Sequence, residues 1–164
     1  MKISKLIWRK LTFDPPFPIG NLNSGIGLQV APVTGGSFTT VSSFSGPPLE
    51  AEFLFGDDHV HIDPGMKNVR INVQAVLKNK SGSLIHYTYK GILEMTPESI
   101  AILTGSPDAK TTEFGKIFTH VNFETGAQEL KELETGIFVG CSRFLVEEGK
   151  APVVESRISR VVYK

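Results

Sequence analysis

Two phenols, Tyr87 and Tyr89, stand two residues apart in the alternating run Leu84–Leu93, and residues i and i+2 of a strand project from one face. On an apolar wall such a pair can donate hydrogen bonds to an oxyanion or to an enone carbonyl. His120, in Lys116–Phe123, is of the residue type suited to proton transfer near neutral pH. Glu132 and Glu134 share a face if their segment is a strand, and two close carboxylates can split their pKa values so that one serves as base. These observations nominate Tyr87, Tyr89, His120 and Glu134 as catalytic groups. Asp58, Arg70, Phe118, Phe123 and Glu132 are nominated as substrate-binding.

Other constellations carry less. His59 and His61, flanked by Asp57, Asp58 and Asp63, have metal-ligand character, but a site needs three or four convergent ligands, and Pro64 and Gly65 stand where a further carboxylate is wanted. No metal and no cofactor are expected. Gly35-Gly36 lacks the following helix and lysine of a phosphate loop, because Ser37–Val41 reads as strand; adjacent glycines there mark a bulge or a tight barrel corner. Cys141 has no histidine beside it and no G-x-S-x-G elbow occurs, so covalent acyl transfer is unsupported and the thiol is expected to be a small buried hydrophobe.

The elements that must position these groups are strands. Leu49, Ala51, Phe53 and Phe55 alternate with Glu50 and Glu52, and Val69–Leu77 repeats the period of two. Asn79–Ser83 then supplies turn chemistry before Leu84–Leu93 returns, so a long hairpin is expected, with Val69, Ile71, Val73, Ala75 and Leu77 facing Ile85, Tyr87 and Tyr89. Further strands are predicted at 5–13, 27–33, 116–123, 130–144 with a break near Gly140, and 153–163. One helix is predicted over Pro97–Leu103, with Thr96 as N-cap, Pro97 at the first position and Gly105 past the end. Many long strands must protect their edges, and closing the sheet does so. The expected class is all-β, an antiparallel calycin/lipocalin-like barrel with one short helix.

Composition narrows the partners. The 164 residues suit a single domain, 1–164, and 17 basic residues balance 17 acidic ones, with no one-sided positive field to draw nucleic acid or anionic lipid. Lys2, Lys5, Arg9 and Lys10 interrupt the apolar residues of the N-terminus as no signal peptide would have it. A single cysteine cannot staple the fold internally, which fits a reducing compartment. The expectation is a cytoplasmic protein whose partner is a small hydrophobic or aromatic molecule, with no nucleic acid and no membrane, and with self-association into a homo-oligomer left open.

In order and spacing, Pro32-Val33-Thr34-Gly35-Gly36-Ser37-Phe38, Gly56-Asp57-Asp58, Ser81-Gly82-Ser83-Leu84-Ile85, Phe123-Glu124-Thr125-Gly126 and Ile137-Phe138-Val139-Gly140 resemble the domain-of-unknown-function family 3237 of small bacterial and fungal proteins, from about Pro15 to Tyr163. The resemblance implies a calycin-like barrel with a central cavity and no bound cofactor. Some fungal relatives belong to natural-product pathways, where such barrels act as isomerases or cyclases. The chain departs from the pattern at four places: His59 follows Asp58 where tryptophan is usual, Phe118 replaces an arginine, Glu132-Leu133-Glu134 replaces Trp-Leu-Asn, and Ala75 replaces a tyrosine. The expected function is a cofactor-independent isomerase or cyclase of secondary metabolism, closing a ring by acid/base-assisted intramolecular addition in the manner of a chalcone isomerase. A non-catalytic binding barrel is the alternative, and a cupin-like metal enzyme the weaker one.

Overall fold

The hairpin predicted around Asn79–Ser83 is the centre of the molecule. Strands β5 (Asn68–Asn79) and β6 (Leu84–Glu94) pair without a break from Asn68 opposite Glu94 to Lys78 opposite Leu84. A computed structural model describes residues 2–42, 44 and 46–163. Around the hairpin run β1 (Lys2–Phe13), β2 (Phe17–Asn21), β3 (Gly27–Thr40), β4 (Glu50–Ile62), β7 (Ile117–Glu124), β8 (Phe138–Leu145) and β9 (Val153–Val162). Pairing follows β1-β9-β8-β7-β6-β5-β4-β3, and β1 also pairs with β3, so eight antiparallel strands close into a barrel, with β2 added along part of β3. Closure leaves the eight with no open edge. Among the described residues no helix is long and apolar enough to cross a membrane.

Both ends are plugged. At one, a short 3-10 helix, Gln128–Leu133, buries Leu130 and Leu133 alongside Leu49. At the other lies α1 (Pro97–Leu103), the predicted helix residue for residue: Thr96 Oγ1 accepts from the Ser99 N–H at 3.2 Å, and Ile102 packs on Val69, Leu93, Ile117 and Phe144. Between the plugs an aromatic ladder holds the strands together: Phe38 and Tyr87 meet edge-on at 4.9 Å, Tyr87 and Phe123 lie 5.3 Å apart, and Phe123 and Phe138 meet edge-on at 5.3 Å. Such pairs add about 0.5–1.5 kcal/mol each beyond their buried area.

Several expectations are corrected. Residues 130–144 are not one strand: Leu130 and Leu133, at helical spacing, form the 3-10 plug, and the strand begins at Phe138. Gly140 does not break it; a Cβ there would stand 2.3 Å from Thr119 Oγ1, so glycine is what lets Thr119 point inward. The run at 49–55 opens a longer strand, which starts at Glu50 and reaches Ile62. A register shift between Phe53 and Phe55 turns Phe55 outward, 72% exposed, against the alternation that placed it on the buried face. Strand β2 carries no period-two signal, being exposed throughout, and escaped the sequence reading.

Gly35-Gly36 does mark a tight corner, opposite a register shift between Thr12 and Phe13, where a Cβ on Gly36 would lie 2.6 Å from Lys10 O. Around Tyr87 the described residues pack without the cavity that the family resemblance implies. Val73, Leu77, Ile85, Tyr87, Val121 and Ile158 expose 0% of their surface, and a void able to hold water would leave area on its walls.

Gly56 is the tightest backbone position. Its φ is +154° and a Cβ would stand 2.2 Å from Gln74 O and 2.8 Å from Ala75 Cα. Gly56→Ala is expected to cost about 1–3 kcal/mol, since backbone and not a pliable side chain must give way. Urea denaturation checks this, and an unchanged midpoint would refute it.

Candidate active site

Strand β1 puts Ile7, Arg9 and Leu11 on its inward face, and at Arg9 this places a guanidinium in the middle of the barrel, 1% exposed. The neighbouring inward positions are small enough to receive it. Ser156 stands opposite Arg9 on β9, and Ser142 opposite Ser156 on β8. Arg9 Nη1 donates to the Tyr87 hydroxyl at 2.7 Å, and Nη2 donates to Ser156 Oγ, which shares a 2.6 Å hydrogen bond with Ser142 Oγ. The guanidinium lies over the Tyr89 ring, 4.3 Å from its centroid, where the ring's negative face partly replaces lost water. Arg9 Nε and Thr119 Oγ1 are buried without partners among the described residues.

The acid of this layer is Asp58 on β4, 6% exposed and pointing inward. Between its two flanking pairs on β5, Val73 and the later His61–Arg70 pair, the backbone ladder is interrupted, and Asp58 Oδ1 accepts the Asn72 N–H at 2.9 Å instead. Burial pushes its pKa up to about 6, against the lowering effects of that hydrogen bond and of the Arg9 charge. No described residue forms a direct ion pair with it. Tyr89 completes the group: burial raises its pKa, the Arg9 charge opposes this, and the Asp58 carboxylate adds to the rise, so both phenols keep their protons at neutral pH. On the way from Asp58 to the α1 end, the inward residues Val60 and Ile62, with Phe13 and Val154, are half-buried. The barrel is least sealed there.

The nominated residues separate accordingly. Tyr87, Tyr89, Asp58 and Phe123 are brought together in the interior. His120 and Phe118 lie on the outer wall of β7, as the alternation with buried Thr119 and Val121 requires, and Phe118 is 58% exposed. Arg70 is exposed and holds Asp63 through two hydrogen bonds of 2.9 and 3.0 Å. Glu132 is exposed on the 3-10 helix and Glu134 follows it, so the two do not share a strand face. Glu134 Oε1 accepts the Thr125 N–H at 2.7 Å, and that bond, followed by Lys131, holds its pKa below the usual carboxylate range. Cys141 is half-exposed on the outer wall and not buried.

His59 Nε2 meets Asp57 Oδ1 at 3.2 Å, and among the described residues no three potential ligands converge. Arg9, Ser142 and Ser156 escaped the sequence reading. The available signal was a charge in phase with Ile7 and Leu11.

Solved structures share this architecture. A protein with unknown function from Clostridium acetobutylicum ATCC 824 is 21% identical, with 99% of this chain and 100% of that one covered at a TM-score of 0.74. A beta-barrel like protein from Acinetobacter baumannii AYE is 18% identical, with 98% and 96% covered and a TM-score of 0.72. An enzyme from Penicillium herquei is 12% identical, with 98% and 94% covered and a TM-score of 0.63. At these identities the likeness is one of fold. A search of curated proteins returns no significant match. The model of the family described as "Protein of unknown function (DUF3237)" matches residues 4–161, and the chain belongs to that family.

Proposed function

We propose that the protein is a cofactor-independent isomerase or cyclase that binds a hydrophobic, aromatic or polyketide-like molecule at the α1 end of the barrel, with Asp58 as general base. The observation that carries this reading is a nine-tenths-buried carboxylate beside neutral Tyr89 and a fully buried guanidinium, below a half-buried apolar rim. A base with pKa near 6 is ionised at neutral pH yet strong enough to take a proton from an acidic phenol or from carbon next to a carbonyl. Tyr89 donates to the oxygen on which charge develops. Arg9, fixed by Tyr87 and Ser156, keeps that phenol's surroundings positive, and this preorganisation favours the charged transition state over the neutral ground state.

In an intramolecular addition, Asp58 would take the phenol proton as the oxygen attacks the enone carbon, and the enolate would then be protonated to give the ring-closed ketone. Orientation of two ends of one molecule accounts for much of such a rate. The fold is shared with an enzyme in Penicillium herquei. A plain carrier would need only one or two orienting polar groups in an apolar site, and a buried carboxylate grouped with two phenols and a guanidinium exceeds that need.

Tyr89→Phe is the direct test of the donor. With a phenolic enone as substrate, ring closure followed by absorbance is expected to slow by about 10²-fold while KM stays nearly constant, because the lost bond is made mainly in the transition state. Undiminished turnover in that variant would remove Tyr89 from the mechanism. Binding without any turnover in the unmodified protein, across enones of different shape, would favour the carrier.

A further inference from the structure

The outer wall of the barrel carries a second site, unconnected with the interior acid. Following the strand pairings, Ile92 stands opposite Phe118, Phe118 opposite Cys141, Cys141 opposite Arg157 and Arg157 opposite Trp8, so five side chains form one row across five strands. With His120, Val139 and Ser159 from the next row, the first four line a groove of about 560 Å³, a volume in the range of small-molecule sites. Its large apolar members are open to solvent: Phe118 is 58% exposed and Ile92 46%.

Arg157 gives the groove its polarity. Its guanidinium carbon lies 4.1 Å from the centroid of Phe114 and 5.0 Å from that of Trp8, so two rings hold the planar group in place. Among the described residues its buried Nε has no hydrogen-bond partner and the guanidinium forms no ion pair. The contrast is Arg143, which also packs on Phe114 but is neutralised by Glu155 at 2.8 Å. A stacked, preorganised and unneutralised guanidinium matches the planar fork of a carboxylate, and loses little rotamer freedom on pairing with one.

We propose that this groove binds a small amphipathic carboxylic acid, with the carboxylate on Arg157 and an aromatic or alkyl tail along Val139, Phe118 and Ile92. A neutral apolar molecule would leave the guanidinium unanswered, and a small inorganic anion would leave the apolar wall wet.

Two reporters are built in. Trp8, the single tryptophan, touches Arg157 from the opposite side, and Cys141 lies in the groove itself. The probe is 4-phenylbutyrate, compared with its neutral amide, by Trp8 fluorescence and by the rate of Cys141 alkylation with iodoacetamide. Saturable quenching or enhancement is expected with the acid, with alkylation slowed in parallel and the amide weaker by about tenfold or more. Arg157→Gln should abolish the difference between acid and amide. Phe118→Ser should weaken both, and circular dichroism of the two variants should match the parent because both positions are on the outer wall. Asp58→Asn should bind the acid as the parent does, which separates this site from the proposed catalytic one whether or not that one is active. Equal affinity for acid and amide, binding indifferent to Arg157→Gln, or no saturable response to the acid would each overturn the proposal.

Discussion

Asp58→Asn is expected to give a protein that is more stable at neutral pH and nearly inactive. Both effects come from one physical fact, the burial of a carboxylate without an ion-pair partner among the described residues. Its pKa rises from the ordinary value of 3.8 to about 6, so the folded state holds the proton more tightly than the unfolded chain does. The stability associated with protonated Asp58 is therefore fully present below about pH 4 and is lost as pH rises through about 6, above which the penalty is constant. Asparagine is neutral at every pH and keeps the carbonyl oxygen that accepts the Asn72 N–H at 2.9 Å.

The variant should accordingly gain up to about 3 kcal/mol over the parent at pH 7.5, with the gain fading towards pH 4. Turnover should fall by about 10²–10⁴-fold, the usual worth of a general base. In the parent, kcat/KM should rise with pH through about 6, as Asp58 ionises. Thermal melts at both pH values, set beside single-turnover assays, check this. A stability gain independent of pH would show that the carboxylate is not carrying the charge, and retained turnover would show that it is not the base.

How much of this was visible in the residues depends on whether the deciding force is local. The β5–β6 hairpin was legible because Val69–Leu77 and Ile85–Tyr89 alternate cleanly and the turn residues between them fix the register; Tyr87 and Tyr89 followed from that alternation. The helix at Pro97–Leu103 was legible from its cap, its N-terminal proline and the glycine beyond it. The register shift at Phe53–Phe55 was not, because an extra residue reverses the facing of all that follow while the composition stays strand-like. The 3-10 plug was missed because Leu130 and Leu133 bury themselves against the barrel end, a tertiary demand that the short run Gln128–Leu133 does not announce.

Arg9 is the instructive miss. Among Lys2, Lys5 and Lys10 it reads as one more charge that keeps the N-terminus polar, whereas its phase with Ile7 and Leu11 makes it the one that must be buried if those two are. Its partners, Tyr87, Ser142 and Ser156, lie 78 to 147 residues away or bond through one another, so nothing near it in the chain betrays the pairing. The candidate site was half visible for the same reason: the phenols and Asp58 sit in regular strands or in the motif that resembled the family, and the cation joining them is defined by closure of β1 against β9 and β3.

Arg9 is also where the largest loss of stability is expected. Arg9→Ala would leave the Tyr87 hydroxyl and Ser156 without their donor and empty the space between small neighbours such as Ser142 and Ser156, both 0% exposed. Cavity and unpaired polar groups together should cost about 3–5 kcal/mol. Arg9→Met separates volume from charge. The thioether chain refills most of the space and removes a cation whose Nε has no partner among the described residues, so the loss should be smaller, about 1–3 kcal/mol for the hydroxyls left behind. The charge itself reports through Asp58, because Arg9 is among the groups that lower that carboxyl's pKa. In Arg9→Met the Asp58 titration, followed by carboxyl-carbon NMR, should therefore move above its parent value of about 6, and the acid limb of kcat/KM should move with it. A methionine variant as unstable as the alanine one would mean that the guanidinium's hydrogen bonds, and not its bulk, hold the layer together. An unmoved titration would mean that Arg9 and Asp58 do not act as one electrostatic unit, and the proposed division of labour between base and cation would fall.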